Sequence, residues 1–272
     1  MSLKEIGPVV LIGAGKMGLA MARGWIAAGL SPENLVLCDP DPAEAARAFA
    51  LEHKIRLMAR PENVLVHVLV LAVKPQVMFD VLAEIRGVVG RHTLVLSIAA
   101  GISLEKLAGA LGTDRIVRSM PNTPAQIGRG ITGAVAREIT PADREIADGL
   151  LRAAGQVLWF DDESRIDAVT AVSGSGPAYV FHMVEALAEA AEKQGFSPDE
   201  AMLLARATVT GAAALMDADP LPASRLRENV TSPKGTTAAA LAVLMDPLTG
   251  LPPLMAKAVA AARARSEELG RG

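Results

Sequence analysis

Short, continuous runs of apolar residues recur along the first 120 positions of the chain, at 8–12, 34–38, 64–73, 93–98 and 115–120. Apolar runs without alternation are typical of strands that are buried on both faces of a parallel sheet. The segments between the runs are helical or rich in turn residues: 17–28 has the composition of a helix that Gly29 ends, and Pro42 begins another. Strands that alternate with helices predict an α/β fold with a parallel sheet.

The pattern changes after Phe160, and we predict no strand beyond it. Helical segments follow at 179–193, 198–216, 235–245 and 253–269, and they are rich in alanine. Gly195 is a stop signal after the first of them, and Ser197 with Pro198 is a start signal for the second. We therefore predict two domains, an α/β domain at 1–162 and an all-α domain at 163–272.

The composition narrows the class of protein. The net charge of −3 and the scattered basic residues argue against a general nucleic-acid-binding surface. The apolar run at 64–73 is too short to span a bilayer, the N-terminal residues lack a signal-peptide pattern, and Cys38 is the single cysteine. No Cys and His spacing indicates a metal site. We therefore expect a cytoplasmic protein with a small-molecule ligand and no nucleic-acid, membrane or metal partner.

A glycine-rich turn follows the first apolar run, with the sequence Gly13-Ala14-Gly15-Lys16-Met17-Gly18. Gly13 permits the tight turn, Gly15 lets the backbone approach a pyrophosphate, and Gly18 allows the helix to pack closely on the strand. The N–H groups at the start of the next helix favour a phosphate. This context predicts a dinucleotide-binding Rossmann domain at 1–162.

An acidic residue, Asp39, ends the second predicted strand, 26 positions after Gly13. Its carboxylate can accept hydrogen bonds from both hydroxyls of an adenosine ribose, and it would repel a 2′-phosphate. No arginine follows closely, which favours NADH over NADPH, although the choice between the two stays open. Asp39 or Asp41 could instead cap the helix that begins near Pro42.

Two further strand ends carry residues suited to the same rim of the sheet. Ala72-Val73-Lys74-Pro75 closes the apolar run at 64–73, and proline forces the chain out of the sheet there. The segment 97–101, which includes Ala100, ends the next strand with small residues that leave room for a flat ring. Ligands of open α/β sheets bind at the carboxyl ends of the strands.

Taken together, these segments resemble the pyrroline-5-carboxylate reductases. Three more segments carry the resemblance: Met120-Pro121-Asn122-Thr123-Pro124, Ser173-Gly174-Ser175-Gly176-Pro177-Ala178-Tyr179 and Thr231-Ser232-Pro233-Lys234-Gly235-Thr236-Thr237. The resemblance covers nearly the whole chain. It implies reduction of Δ1-pyrroline-5-carboxylate to L-proline by hydride transfer from NADPH or NADH, and a helical domain at 163–272 that binds substrate and forms a homodimer or larger homo-oligomer.

The resemblance also implies roles for residues outside the Rossmann domain. Gly235 and Thr236 would offer backbone N–H groups to the substrate carboxylate, and the hydroxyl of Thr237 would lie at the ring nitrogen as the catalytic group. Asn229 matches a position that faces the cofactor, and Val230 and Glu163 match positions near the substrate.

This sequence departs from the family pattern where Lys234 replaces a glycine, and a positive φ there would strain lysine. A β-hydroxyacid dehydrogenase-like reductase is an alternative with the same architecture. However, it uses a lysine in the helical domain, and none follows Ser173 before Lys193. A dinucleotide-sensing regulator is a second alternative, and it would not need the loop at 232–237. A monomeric helical bundle also remains compatible with the composition of the second domain.

Overall fold

The computed structural model describes residues 2–271 and divides into two compact units, one made of 1–175 with 262–272 and the other of 176–261. The strands are β1 (Val9–Ile12), β2 (Leu35–Cys38), β3 (Arg56–Met58), β4 (Val68–Leu71), β5 (Leu94–Ser97), β6 (Ile116–Met120), β7 (Gly130–Arg137) and β8 (Gly155–Trp159). The helices of the first unit are α1 (Lys16–Ala27), α2 (Glu44–His53), α3 (Met78–Ile85), α4 (Leu104–Leu111), α5 (Pro141–Arg152) and α6 (Arg165–Val169).

All eight strands form one sheet in the order β3-β2-β1-β4-β5-β6-β7-β8. The first six strands are parallel to one another and follow the order of a Rossmann fold. The order of the strands reverses between β1 and β4, and ligands of such sheets bind at this reversal, outside the carboxyl ends of the strands. The prediction of an N-terminal Rossmann domain followed by helices is confirmed.

The sheet extends further than the apolar runs indicated. β7 is antiparallel to β6, and β8 is parallel to β7, so the sheet is predominantly but not entirely parallel. The sequence also missed β3, a strand of three residues at the edge of the sheet. The long apolar run at 64–73 forms a strand only at Val68–Leu71.

The strands are buried on both faces, as continuous apolar runs predict. Val9 and Leu11 of β1 belong to one hydrophobic cluster, and Val10 and Ile12 belong to another on the opposite face. Trp25 of α1 is fully buried, and its indole N–H donates a hydrogen bond of 2.8 Å to the carbonyl of Leu150 on α5. These two clusters hold the carboxyl ends of the strands in fixed positions.

The second unit contains α7 (Gly176–Glu192), α8 (Pro198–Ala218), α9 (Ala223–Asn229), α10 (Thr236–Leu244) and the first part of α11 (Leu251–Arg271). The sequence did not predict α9. The units divide after Ser175, and the boundary at 162/163 remains a prediction about domain organisation.

Few side chains are buried in the second unit. The hydrophobic residues buried among its described positions are three alanines, Ala188, Ala201 and Ala205, where α7 packs on α8. Many larger apolar side chains are exposed, among them Phe181, Leu203 and Leu254. Of the described helices, α8 alone is long and apolar enough to cross a membrane, judged by length and composition only.

Candidate active site

The glycine turn between β1 and α1 has the backbone geometry that its motif requires. Gly13 has a φ of +94°, and a Cβ there would lie 2.8 Å from the carbonyl oxygen of Ala72. A Cβ on Gly18 would meet the Gly13 oxygen at 2.2 Å, so α1 can approach the turn only because both residues are glycine. A Cβ on Gly15 would point into open space, which leaves room for a phosphate beside the N-terminus of α1.

Asp39 is bound to the glycine turn. One carboxylate oxygen accepts a hydrogen bond of 2.9 Å from the N–H of Ala14, and the other accepts one of 3.0 Å from the N–H of Asp41. The next helix, α2, begins at Glu44 after Ala43, so neither Asp39 nor Asp41 is its N-cap. Asp39 therefore orders the turn and keeps its negative charge at the end of β2.

A cavity of about 420 Å³ opens at the carboxyl ends of β1, β2, β3 and β4. Six of the residues predicted to bind the cofactor line it: Gly13, Gly15, Asp39, Ala72, Val73 and Lys74. Val77, Val81 and Ile85 give it an apolar wall, which suits the adenine end of a dinucleotide. Ala14, Lys16, Met17 and Gly18 complete the turn at the start of α1.

Sequence reasoning missed Arg60, Pro61 and Glu84, which line the same cavity. Arg60 lies two residues beyond β3, and because that strand was not predicted, nothing placed Arg60 near Asp39. Cys38 also lines the cavity. Burial raises the pKa of its thiol to about 12 against the opposing effect of Arg56, so the thiol is neutral and unsuited to nucleophilic chemistry.

A second cavity of about 720 Å³ lies beside the ends of β4 and β5. Pro75 and Ala100, both predicted to bind the cofactor, line it together with Gly101, Thr170 and Ser175. The last turns of α11 form another side of it, through Arg265, Ser266 and Leu269. Nothing in the sequence indicated that residues so near the end of the chain contribute to this rim.

Two side-chain contacts hold the end of α11 in place. The hydroxyl of Ser266 donates a hydrogen bond of 2.6 Å to Asp167, and Nζ of Lys106 donates one of 3.0 Å to the carbonyl of Gly270. Both contacts lie within the first unit. They fix α11 as one wall of the second cavity.

Glu163, predicted to bind substrate, is held by two neighbours. Its Oε1 accepts two hydrogen bonds. One, of 2.8 Å, comes from the N–H of Leu104 at the start of α4, and the other, of 2.6 Å, comes from Nη1 of Arg118. Arg118 is only 5% exposed, and within the described residues its Nε has no partner. Glu163 thus neutralises a buried arginine, and its contact with substrate remains a prediction.

Two of the segments that carry the family resemblance meet at Asn122. Its amide nitrogen donates a hydrogen bond of 3.2 Å to the carbonyl of Ser173, and its oxygen accepts one of 3.0 Å from the N–H of Ile131. Ser173 lies in a π-helical turn at Thr170–Gly174, where the N–H of Ser175 reaches the carbonyl of Thr170. Such turns are frequent at functional sites, and this one lies next to the second cavity.

The predicted substrate loop lies in the second unit. Lys234 has a φ of 61°, which is the left-handed conformation. This is the positive φ that the sequence analysis considered at this position, and it is strained for lysine. Gly235 precedes α10 and donates its N–H to the carbonyl of Ser232 at 3.1 Å. A Cβ there would lie 2.3 Å from the Ser232 hydroxyl, so that side chain would have to turn away.

Thr236 and Thr237 form the first turn of α10, where backbone N–H groups lack partners within the helix. Asn229 is the last residue of α9, and the exposed Val230 follows it. The carbonyl of Ser232 competes for the Gly235 N–H, so the N–H groups of Thr236 and Thr237 are the better candidates for a carboxylate.

The chain matches two family models. Residues 163–269 match "Pyrroline-5-carboxylate reductase dimerisation", and residues 8–101 match "NADP oxidoreductase coenzyme F420-dependent". A pyrroline-5-carboxylate reductase from Vibrio alginolyticus is 39% identical over 268 residues, which cover 96% of this chain and 97% of the relative.

Solved structures agree with these matches. A pyrroline-5-carboxylate reductase from Coxiella burnetii superposes with a TM-score of 0.89 at 35% identity, over 97% of this chain and 98% of that one. The Plasmodium falciparum pyrroline carboxylate reductase, solved with NADP bound, gives a TM-score of 0.82 at 28% identity over 98% and 99% of the two chains. Because a relative above 30% identity spans almost the entire chain, this protein belongs to the pyrroline-5-carboxylate reductase family.

Proposed function

We propose that the protein reduces Δ1-pyrroline-5-carboxylate to L-proline, the last step of proline biosynthesis. Reduced nicotinamide, when bound, supplies the hydride for the C=N carbon, and the ring nitrogen takes up a proton. The observation that carries the proposal is the pair of cavities along one rim of the Rossmann sheet, in a chain that belongs to this family. No redox-active residue of the chain itself is needed, because the cofactor carries the chemistry.

The residues of the first unit fit a dinucleotide. Gly13–Gly18 and the start of α1 would receive the pyrophosphate, and Asp39 would receive the adenosine ribose. Ala72–Pro75 would flank the nicotinamide ribose, and Ala100 would lie beside the nicotinamide ring in the second cavity.

The cofactor is a nicotinamide dinucleotide, and the charge of Asp39 favours NADH. The Plasmodium relative was solved with NADP, so NADPH is the other candidate.

In the second unit we assign the substrate to the turn before α10. The N–H groups of Thr236 and Thr237 would meet its carboxylate, the N–H of Gly235 would join them only by leaving the carbonyl of Ser232, and Val230 would contact its ring. The Thr237 hydroxyl would hydrogen-bond to the ring nitrogen and help to deliver its proton. Because a threonine hydroxyl is far too weak an acid to protonate the ring alone, its role would be to orient the nitrogen and relay the proton. Asn229 would face the cofactor, and Glu163 would act near the substrate while it neutralises Arg118.

We further propose that the helical unit forms a homodimer in the cytoplasm. A unit that buries three alanines and exposes Phe181, Leu203 and Leu254 lacks an adequate core of its own. A second copy of the same surface would cover these side chains, which also accounts for the apolar character of α8.

A direct assay tests the reaction. Purified protein is mixed with pyrroline-5-carboxylate and either NADH or NADPH, and the loss of absorbance of the reduced nicotinamide is followed. We expect turnover with at least one cofactor and formation of proline in equal amount. Absence of turnover with both cofactors, in a protein that binds either of them, would overturn the proposed reaction.

A further inference from the structure

Arg60 and Asp39 leave neighbouring strands of the sheet side by side. Cys38 of β2 pairs with Met58 of β3, and the N–H of Asp39 donates a hydrogen bond of 2.9 Å to the carbonyl of Met58. Adjacent strands lie about 4.8 Å apart, and Arg60 follows Met58 by two residues. Both Arg60 and Asp39 line the cavity at the adenosine end of the proposed dinucleotide site.

The carboxylate of Asp39 is held by hydrogen bonds from the protein backbone. Each of its two oxygens accepts an N–H, from Ala14 or from Asp41, which holds the carboxylate in one orientation. Each carboxylate oxygen still has a second lone pair, which can accept a hydrogen bond from a ribose hydroxyl. A 2′-phosphate at the same position would face this negative charge, so it requires a cation close by.

Arg60 is a cation at the right place and is only weakly engaged. Its Nη2 lies 3.3 Å from Oε1 of Glu84, and the two side chains are 62% and 48% exposed. An exposed ion pair of this length contributes little. The planar guanidinium can instead bind a phosphate with two parallel N–H bonds, which is a stronger interaction.

We propose that Arg60 binds the adenosine 2′-phosphate of NADPH, and that Asp39 and Glu84 oppose it. This inference rests on the proposed dinucleotide site. Asp39 repels the phosphate, and Glu84 competes for the guanidinium. The balance among these three side chains sets the affinity for NADPH relative to the affinity for NADH.

The test uses adenosine fragments, which need no substrate and no turnover. Calorimetry measures the Kd of adenosine 2′,5′-bisphosphate and of AMP, which lacks the 2′-phosphate, on the intact protein. Arg60→Ala should weaken binding of the bisphosphate at least tenfold and change AMP binding less than twofold. Glu84→Gln should tighten the bisphosphate several-fold, because it releases Arg60, and Arg60→Lys should give an intermediate loss because a lysine cannot bind bidentately.

Arg47 provides a matched control. It is 61% exposed on α2 and lies 3.9 Å from Asp41, but it does not line the cavity. Arg47→Ala should alter neither Kd. Equal losses of both ligands in Arg60→Ala, or no loss of either, would overturn the assignment. If the fragments behave as expected while pyrroline-5-carboxylate is not reduced, the proposed reaction fails and the role of Arg60 stands.

Discussion

The carboxylate of Asp39 lies 2.9 Å from the N–H of Ala14 and thereby ties the end of β2 to the glycine turn after β1. Ala14 is only 2% exposed, so its N–H depends on this acceptor. The same side chain therefore has two roles. It stabilises the turn that would receive the pyrophosphate, and it places a negative charge where the adenosine ribose is expected.

Substitutions at Asp39 should separate these roles. Asp39→Asn retains one oxygen acceptor for Ala14, leaves the exposed N–H of Asp41 to water and removes the charge. We therefore expect stability close to wild type and a shift of the NADPH to NADH preference toward NADPH of about tenfold. Asp39→Ala leaves a buried N–H unpaired, which costs about 1–3 kcal/mol of unfolding free energy. Urea unfolding and cofactor titrations distinguish the two. An Asn variant with unchanged preference would show that the charge does not select the cofactor.

The hydroxyl of Thr237 should matter more than that of Thr236. We expect Thr237→Ala to lower kcat at least tenfold with cofactor Kd nearly unchanged, because the ring nitrogen loses its hydrogen-bonding group. Thr237→Ser should restore most of the activity. Thr236→Ala is the matched control, since it keeps the backbone N–H assigned to the substrate carboxylate. Steady-state kinetics with all three variants decide the point, and equal rates for wild type and Thr237→Ala would remove Thr237 from the mechanism.

Lys234 adopts a φ of 61°, which glycine tolerates better. The left-handed conformation costs lysine about 1–2 kcal/mol, and the greater flexibility of unfolded glycine offsets about 0.5–1 kcal/mol of the gain on replacement. Lys234→Gly should therefore stabilise the protein by roughly 0.5–1 kcal/mol in urea unfolding.

Kinetics on the same position test whether the lysine charge assists the substrate. Lys234→Asn also accepts a positive φ but carries no charge. If the ammonium group faces the carboxylate, both variants should raise KM for pyrroline-5-carboxylate by a similar factor. A KM unchanged in both variants would leave Lys234 without a role in binding.

The ion pair of Arg115 with Asp143 should make the first unit sensitive to acid. Burial alone would raise the pKa of Asp143, but hydrogen bonds from Arg115 and Thr140 outweigh it and hold the pKa below its ordinary value. The stabilisation is therefore present above the unfolded pKa of about 3.9 and is lost as the pH falls through the lower folded pKa.

We expect Asp143→Asn to cost about 1.5–3 kcal/mol at pH 7, as is typical for hydrogen bonds to a charged group, and the difference from wild type to shrink below pH 4. Asp114→Asn removes the exposed partner of Arg137 and should cost less than about 0.5 kcal/mol. Urea unfolding over a pH series measures both. A difference for Asp143→Asn that does not vary with pH would contradict the ionic origin.

Cys38 should resist thiol reagents in the native protein. With a pKa of about 12, only about one molecule in ten thousand carries the thiolate at pH 8, and the residue is 2% exposed. A maleimide should therefore label the protein rapidly in denaturant and hardly at all without it. Mass spectrometry measures the fraction of labelled protein. Fast labelling of the folded protein would show that the cavity wall opens.

The sequence predicts the elements whose signal is local. The five apolar runs and the glycine turn can be recognised in the sequence because the strands are buried on both faces and the turn tolerates no side chain. β7 was missed because glycine and small residues dominate it: a Cβ on Gly133 would lie 2.8 Å from the side chain of Val169. That requirement arises from packing and leaves no periodic pattern.

The candidate site follows the same division. The place of Asp39 in the site could be predicted, because its spacing from Gly13 is that of one βαβ unit. The place of Arg60 could not be predicted, because Arg60 reaches the site from the end of a three-residue edge strand. The contacts of Ser266 and Gly270 were equally out of reach, because they join positions about 100 or more residues apart in the chain.

The position of α11 in the second cavity has a practical consequence for handling the protein. Leu269 lines that cavity, so a bulky or charged group attached to the last turns of α11 would lie close to the space assigned to the nicotinamide ring. Such groups should depress activity without unfolding the protein. Fluorophores and surface-immobilisation anchors are therefore better attached at positions away from α11.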